Sequence, residues 1–431
     1  MSTIKKLKCM KCKIEKSKIS GEVNCPANKS YTHRAIFLSA LSDGKSIIKK
    51  VLRSDDIGAT ISACRALGVD VNESDDTVTI ENSIGSTVQG SMINAQNSGT
   101  TLRIATAIAA LSGGNTELTG DDSLKKRPMR PILDSLENLG ITTESNDGKP
   151  PITVKGKING NYVNIKGNIS SQFISALLII APRLDSGLTI EIDGDVVSKP
   201  YIDLTITTMK KFGVDVKIVE PYKKYSILHQ IYQPTTFTVP SDFSNLALLL
   251  SANVLLGDSL KIKISLGELP QGDEEIVDIL EKMGVNVTLD SETITTKSPE
   301  LLDGGKFDLS NTPDLLPALA ILVLKCKTQI EIYNVKHARY KETDRIAIIC
   351  NELKKIGVIV TEKEDGMILK KGDLINNVEL NAHADHRLFM AFSIVGMLIG
   401  DCTVTDPDSA SVSYPDFISD MKNCGARISI V

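Results

Sequence analysis

One phrase returns six times along the chain and dictates how it can fold. A helix-forming stretch ends in a hydrophobic residue and a glycine, and a β-branched stretch follows. It reads Leu67-Gly68-Val69-Asp70-Val71, Leu139-Gly140-Ile141, Phe212-Gly213-Val214-Asp215-Val216, Met283-Gly284-Val285-Asn286-Val287, Ile356-Gly357-Val358-Ile359-Val360 and, more weakly, Cys424-Gly425-Ala426-Arg427-Ile428. Successive glycines lie 68 to 73 residues apart. Glycine suits a helix end where the backbone turns left-handed, and a fixed period marks a repeat architecture. A unit of roughly 70 residues has room for about four strands and two helices. It is too large for a solenoid repeat and buries little core alone. Strands alternating with helices imply α/β packing.

At 431 residues the chain exceeds one ordinary core, and three units per lobe give two lobes. Residues 27–240 are expected to form one lobe. Residues 1–26 with 241–431 are expected to form the other, the stretch from Cys12 to Val23 adding an edge strand. The chain would then cross twice, near 24–28 and near 239–242. Two crossings make a hinge, and a cleft between lobes is where ligands bind.

Several function classes are excluded by composition. A net charge of −4 argues against a general nucleic-acid binder, and 4% aromatic residues with no Trp leave few stacking platforms. The longest apolar run, Leu388 to Gly400, is shorter than the roughly 20 residues a membrane span needs. The Lys-rich start lacks the apolar stretch of a secretory signal, so a cytoplasmic monomer with reduced thiols is expected. Of eight cysteines only Cys9 and Cys12 have ligand spacing, and a zinc site needs a second pair. His383 and His386 likewise lack a third ligand. No metal is expected.

The unusual polar residues cluster at the starts of apolar helices. Lys29-Ser30-Tyr31-Thr32-His33-Arg34 opens the stretch Ala35 to Leu41, and cations in a first turn oppose the helix dipole by about 0.3–1 kcal/mol each. Asn97-Ser98-Gly99-Thr100-Thr101-Leu102-Arg103 and Ser170-Ser171-Gln172 precede apolar helices in the form of an anion site, which is equally the form of an ordinary cap. Arg127-Pro128 and Ser198-Lys199-Pro200-Tyr201 are polar loops. Asp314 precedes Leu315 to Leu324, where the dipole favours an acid, and Asp385-His386-Arg387 precedes Leu388 to Met397. Between His337 and Arg345, the helix is expected to begin near Thr343, so that Lys341 and Arg345 repel about one turn apart. A solvated helix start accounts for such a run, and so does an anion held between its cations.

Taken together these residues resemble the 5-enolpyruvylshikimate-3-phosphate synthase family of enolpyruvyl transferases. Arg339-Tyr340-Lys341-Glu342-Thr343-Asp344-Arg345 is similar to its signature. Lys29-Ser30 with Arg34, Asn97 to Arg103, Ser170-Ser171-Gln172, Val197 to Asp203, Gln271-Gly272-Asp273 and Asp385-His386-Arg387 match its other motifs in order. The resemblance implies a two-lobed inside-out α/β barrel, each lobe three βαβαββ repeats, with the active site in the interdomain cleft. It implies transfer of the enolpyruvyl group of phosphoenolpyruvate to the 5-hydroxyl of shikimate 3-phosphate, releasing phosphate, without metal or cofactor.

Site roles follow from the same resemblance. Shikimate 3-phosphate would meet Lys29, Ser30, Arg34, Ser170, Ser171, Gln172, Ser198, Asp314 and Lys341. Phosphoenolpyruvate would meet Lys29, Asn97, Gly99, Arg127, Gln172, Arg345 and Arg387. Asp314 would be the general base, Glu342 or Lys29 the acid, and Asp56 and His386 would tune them. The chain departs from the family at Val412, where a Lys is usual, at Ala27-Asn28 in place of Gly-Ser, and at His337 in place of Asn. Gly99 is retained, so sensitivity to glyphosate is expected. The sister transferase acting on UDP-N-acetylglucosamine uses a loop Cys, absent from Gly120 to Pro128 here. A non-catalytic anion binder on the same scaffold would need no acid and base.

Overall fold

The computed structural model describes residues 10–81, 84, 91–257 and 259–431; Cys9 of the Cys9/Cys12 pair lies outside them. Among the described residues the strands form six four-stranded sheets. Five share one plan, seen in Tyr162–Lys166, Leu188–Asp193, Lys217–Glu220 and Lys224–Ile227. The first two strands run parallel, and the last returns from a hairpin to lie antiparallel against the second. In the sixth sheet Lys11–Ile14 takes the place of the returning hairpin strand.

Twelve α-helices alternate with these strands: α1 Lys29–Ala40, α2 Asp55–Ala66, α3 Gly99–Ala109, α4 Arg130–Asn138, α5 Ser171–Ile180, α6 Pro200–Lys211, α7 Phe243–Leu256, α8 Glu275–Lys282, α9 Leu316–Ile321, α10 Arg345–Lys355, α11 His386–Ile399 and α12 Phe417–Asn423. The even-numbered helices end in the repeated phrase, and its physical basis is the same six times. Gly68 N–H donates to the Arg65 carbonyl and Val69 N–H to Cys64, with Gly68 at φ +81°. That is a Schellman cap, and its last residue packs on the residue five before it. Gly140, Gly213, Gly284, Gly357 and Gly425 repeat both bonds and the positive φ. Even-numbered helices bury one face: α8 buries only Ile276, Ile279 and Leu280. Odd-numbered helices lie inside; α7 is buried along its whole length, which requires a helix apolar all round. Helices α7, α9 and α11 pack on one another, and α3 packs on α1 and α5.

Two hydrophobic cores result. One gathers side chains from Tyr31 to Val239 with Leu269, and the other gathers Cys12 to Cys25 with Phe243 to Ile428. The connecting segments run side by side. Asn28 N–H donates to the Pro240 carbonyl at 2.7 Å and Asp242 N–H to Pro26 at 2.8 Å. Strands are exchanged there: Thr236–Thr238 pairs with Ser46–Lys49 of the first unit, and Gly21–Asn24 with Leu260–Lys263 of the fourth.

The N-terminal stretch departs from expectation. It forms two strands in different sheets, not one edge strand. Lys11–Ile14 is interior, between Cys402–Thr405 and Ile428–Ile430, and only Gly21–Asn24 lies at an edge. Alternation explains the first, because Cys12 and Ile14 are fully buried between charged neighbours. No helix of the described residues is long and apolar enough to cross a membrane, and no group of three His, Cys, Asp or Glu among them could hold a metal ion.

Candidate active site

The N-termini of α1, α3, α5 and α11 and the segments before α6, α9 and α10 open onto one cleft. This placement follows from the plan of the unit, since each inner helix starts where its first strand ends. Lys29, Ser30, Asp56, Gly99, Arg127, Ser170, Ser171, Gln172, Ser198, Asp314, Lys341, Glu342, Arg345, His386 and Arg387 all line it.

Residues 27–240 contribute mainly donors. The Ser170 hydroxyl caps α5 by accepting from Gln172 N–H at 3.3 Å. Gln172 is clamped: its Nε2 donates to Thr100 Oγ1 at 3.0 Å and its Oε1 accepts from Arg103 at 2.5 Å. Ser198 is held at φ +55° while its N–H donates across the cleft to the Ser310 carbonyl at 3.0 Å. Arg127 donates to Asn97 Oδ1 at 2.9 Å, and its buried Nε has no partner. Lys29 Nζ pairs with Asp56 at 2.9 Å. Burial pushes the Asp56 carboxyl upward and Glu342 adds to the push, against the pull of Lys29.

Residues 241–431 contribute a dense ion cluster. Arg345, 1% exposed, donates to Asp385 at 2.8 Å, to Glu342 at 2.7 Å and to Asp314 at 2.9 Å. Asp314 also meets Lys341 at 3.4 Å and Arg387 at 3.5 Å. Burial alone would raise the Asp314 carboxyl, but Lys341, Arg387 and Arg345 outweigh it and hold it well below the usual range. Glu342 is likewise held low, with burial overcome by Arg345 and Arg127. Burial and Lys29 keep His386 neutral, and neither ring nitrogen has a partner.

One expectation needs correction, and two expected site residues stand behind the cleft wall. Helix α10 begins at Arg345, not Thr343, because the Asp344 side chain caps it by accepting from Ala347 N–H at 3.0 Å. Lys341 therefore lies in the preceding loop, and the anion between it and Arg345 is the chain's own Asp314. Asn97 does not line the cleft but holds Arg127 from behind, its Nδ2 donating to Asp121 at 2.7 Å. Arg34 does not line it either. It sits in the second turn of α1, where its guanidinium meets Thr205 at 2.7 Å, the Ser30 carbonyl at 3.0 Å and Ser175 at 3.3 Å. Burial lowers its pKa to about 10.

Sequence reasoning gave no role to six wall residues: Thr100, Arg103, Ile169, Tyr201, His337 and Tyr340. For Arg103 the signal was spacing, since it lies four residues after Gly99 and so on the same helix face. Its guanidinium stacks 4.9 Å from the Phe173 ring centroid, and burial beside Arg127 lowers its pKa to about 9. Val412 does not line the cleft, whose cations among the described residues are Lys29, Arg103, Arg127, Lys341, Arg345 and Arg387.

Two stacked-helix lobes around a cation-rich cleft with buried carboxylates suit a protein that takes anionic ligands. Similarities narrow this further. The family described as EPSP synthase (3-phosphoshikimate 1-carboxyvinyltransferase) matches residues 14–421, and the chain belongs to it. A 3-phosphoshikimate 1-carboxyvinyltransferase of Nitrosopumilus maritimus is 56% identical over 419 residues, covering 97% of this chain and 99% of the relative. An EPSP synthase structure from Acinetobacter baumannii superposes with a TM-score of 0.80 at 24% identity, covering 98% of this chain and all of that one. The enolpyruvyl transferase NikO from Streptomyces tendae gives 0.79 at 17% identity, covering 98% and 99%, so the fold itself is shared by enolpyruvyl transferases.

Proposed function

We infer the reaction from the family and the division of labour from the cleft. The chain is an enzyme that transfers the enolpyruvyl group of phosphoenolpyruvate to the 5-hydroxyl of shikimate 3-phosphate and releases phosphate. Both substrates carry a phosphate and a carboxylate, which suits six cations converging on one cleft. The observation that carries the reading is Asp314, a carboxylate partly open to the cleft and ringed by Lys341, Arg345 and Arg387, in the same cleft as the hydroxyls and N–H groups at the start of α5.

The roles are proposed as follows. Ser170, Ser171, Ser198 and Lys341 hold shikimate 3-phosphate, with Ser30 near its carboxylate and Arg34 supporting Ser30 from behind. Arg127, Arg345, Arg387, Gln172, Lys29 and the Gly99 N–H hold phosphoenolpyruvate, with Asn97 and Arg103 setting Arg127 and Gln172. Asp314 takes the proton of the 5-hydroxyl, whose oxygen then attacks C2 of phosphoenolpyruvate while C3 gains a proton. Loss of a proton from C3 then expels phosphate. Before substrate binds, Asp314 is a weak base because three cations hold its charge. Anionic substrates draw those cations away, and basicity returns where it is used. Glu342 is held ionised by Arg345 and Arg127, which favours the Lys29 ammonium as the proton source at C3, steadied by Asp56. The two cores act as lobes hinged at 24–28 and 239–242, and their closure excludes water.

No cysteine lines the cleft among the described residues, which disfavours the UDP-N-acetylglucosamine reaction. Phosphate release with each acceptor tests the assignment: activity with shikimate 3-phosphate is expected, and activity with UDP-N-acetylglucosamine alone would overturn it.

A further inference from the structure

Tyr201, at the start of α6, carries its hydroxyl into the space between two carboxylates from the other half of the molecule. The phenol oxygen lies 3.2 Å from Asp273 Oδ2 and 3.3 Å from Asp314 Oδ2. A phenol has one hydrogen and cannot donate to both. If both acids were ionised, one of these contacts would set two buried oxygens together with nothing between them. Asp273 is 4% exposed, its Oδ1 has no partner, and its Oδ2 also receives the Ser244 hydroxyl. A buried carboxylate with an orphaned oxygen is costly, and a neutral acid is much less so.

One arrangement leaves no pair of these oxygens without a hydrogen between them and keeps the orphaned carboxyl neutral. Asp273 carries a proton on Oδ2 and donates to the Tyr201 oxygen, Ser244 donates to Asp273, and Tyr201 donates to Asp314. We propose that Asp273 is a positioning residue for the general base: it directs the Tyr201 hydrogen onto Asp314 Oδ2 and so fixes the carboxylate, whose Oδ1 meets Arg345 at 2.9 Å and Lys341 at 3.4 Å. The proposal rests on the reading of Asp314 as that base. Because Tyr201 comes from residues 27–240 and both acids from 241–431, the chain of bonds forms only when the two halves meet.

The charged groups around Asp273 agree with this. Asp314 on the segment before α9 and Asp242 at the cap of α7 disfavour its ionisation, and Arg387 on α11 favours it. Burial is the largest influence, and the carboxyl is pushed up to about 7. Tyr201 itself is pushed well above its ordinary value by burial and by Asp273 and Asp314, so it stays a donor. On ionisation of Asp273 the Tyr201 hydrogen is shared between the two acids and Asp314 gains a negative neighbour. Turnover therefore changes as pH rises through neutrality.

The test is a pH profile of kcat on the full chain with both substrates, for Asp273→Ala, Asp273→Asn, Tyr201→Phe and the double variant Tyr201→Phe/Asp273→Ala. Loss of one hydrogen bond in a charged chain lowers kcat about 10-fold in Asp273→Ala. Asp273→Asn, which keeps a donor toward Tyr201, recovers most of that loss and removes the limb near neutrality. Adding Asp273→Ala to Tyr201→Phe lowers kcat no further. An unchanged limb in Asp273→Asn, or equal effects of Asp273→Ala with and without Tyr201, overturns the proposal. Carboxyl carbon-13 titration of Asp273, assigned with Asp273→Asn, reads the chain of bonds apart from turnover. If Asp273 titrates near neutrality and Tyr201→Phe shifts it while Asp314→Ala retains kcat, the base assignment has failed and the bond chain stands. If Asp273 titrates in the ordinary carboxylate range, the proposal has failed whatever Asp314 does.

Discussion

The two halves of the cleft handle charge in opposite ways. On the side of residues 27–240, Lys29 has a single acid, Asp56, Arg127 meets Glu342 only at 3.7 Å and keeps a buried nitrogen without a partner, and hydroxyls and backbone N–H groups stand at helix starts. On the side of residues 241–431, Arg345 is already matched by Asp385, Glu342 and Asp314. One side is prepared to receive anions. The other stores its cations against its own acids, which keeps the acids ionised and releases the cations when better anions arrive. Both halves supply binding and reacting groups, Lys29 from one and Asp314 from the other, and closure joins them.

This contrast is breakable, and Arg345→Ala should break it most. That change leaves Asp385, Glu342 and Asp314 short of a partner and destabilises the fold by about 3–5 kcal/mol, measured by denaturant unfolding. A loss below about 1 kcal/mol would mean that the cluster is not held by Arg345. Asp314→Ala should lower kcat at least about 10²-fold with shikimate 3-phosphate as acceptor; an unchanged kcat removes it from the mechanism.

Changes on the receiving side should act on affinity more than on the fold. Arg127→Ala is expected to raise the KM for phosphoenolpyruvate about 10-fold, the loss of a charge-assisted contact, while stability falls less than in Arg345→Ala, because Arg127 meets one acid, Glu342, at 3.7 Å. Equal effects on KM and unfolding would erase the distinction between halves. Gly99→Ala should act more weakly and in the same direction. A Cβ there would stand 3.0 Å from Arg127 and 3.3 Å from Arg103, so the guanidiniums must give by a few tenths of an ångström. We expect a several-fold rise in KM for phosphoenolpyruvate, reduced glyphosate sensitivity, and no change for the acceptor.

The smallest effect is on stability against pH. Asp314 and Glu342 are held below their ordinary values in the folded chain. Their contribution is complete above the unfolded carboxylate range and is lost as pH falls below it. Asp273 has the opposite sign, because its raised value makes the folded state less favourable as pH rises toward 7. The thermal midpoint of Glu342→Gln should accordingly fall less on acidification than that of the parent. A parallel fall would mean that Glu342 is not held low.

The repeat was legible in the sequence because its signal is local: a Schellman cap needs only a glycine and two apolar residues five apart. The exchange of Gly21–Asn24 and Thr236–Thr238 between units was not, since those strands pair with partners more than 180 residues away in sequence. At the site, the residues of the motifs were legible and their partners were not. The charged run from His337 to Arg345 suggested a receptor for an external anion, whereas Asp314, some 30 residues earlier, already fills that place. Tyr201 and Asp273 each belonged to a recognised motif, yet nothing local places their oxygens 3.2 Å apart.

The account's central claim is enolpyruvyl transfer to shikimate 3-phosphate, and phosphate release measured with phosphoenolpyruvate and each acceptor in turn tests it most directly. One phosphate per enolpyruvylshikimate 3-phosphate formed, with no release with UDP-N-acetylglucosamine, is the predicted result. Release with UDP-N-acetylglucosamine alone, or with neither acceptor, would contradict it.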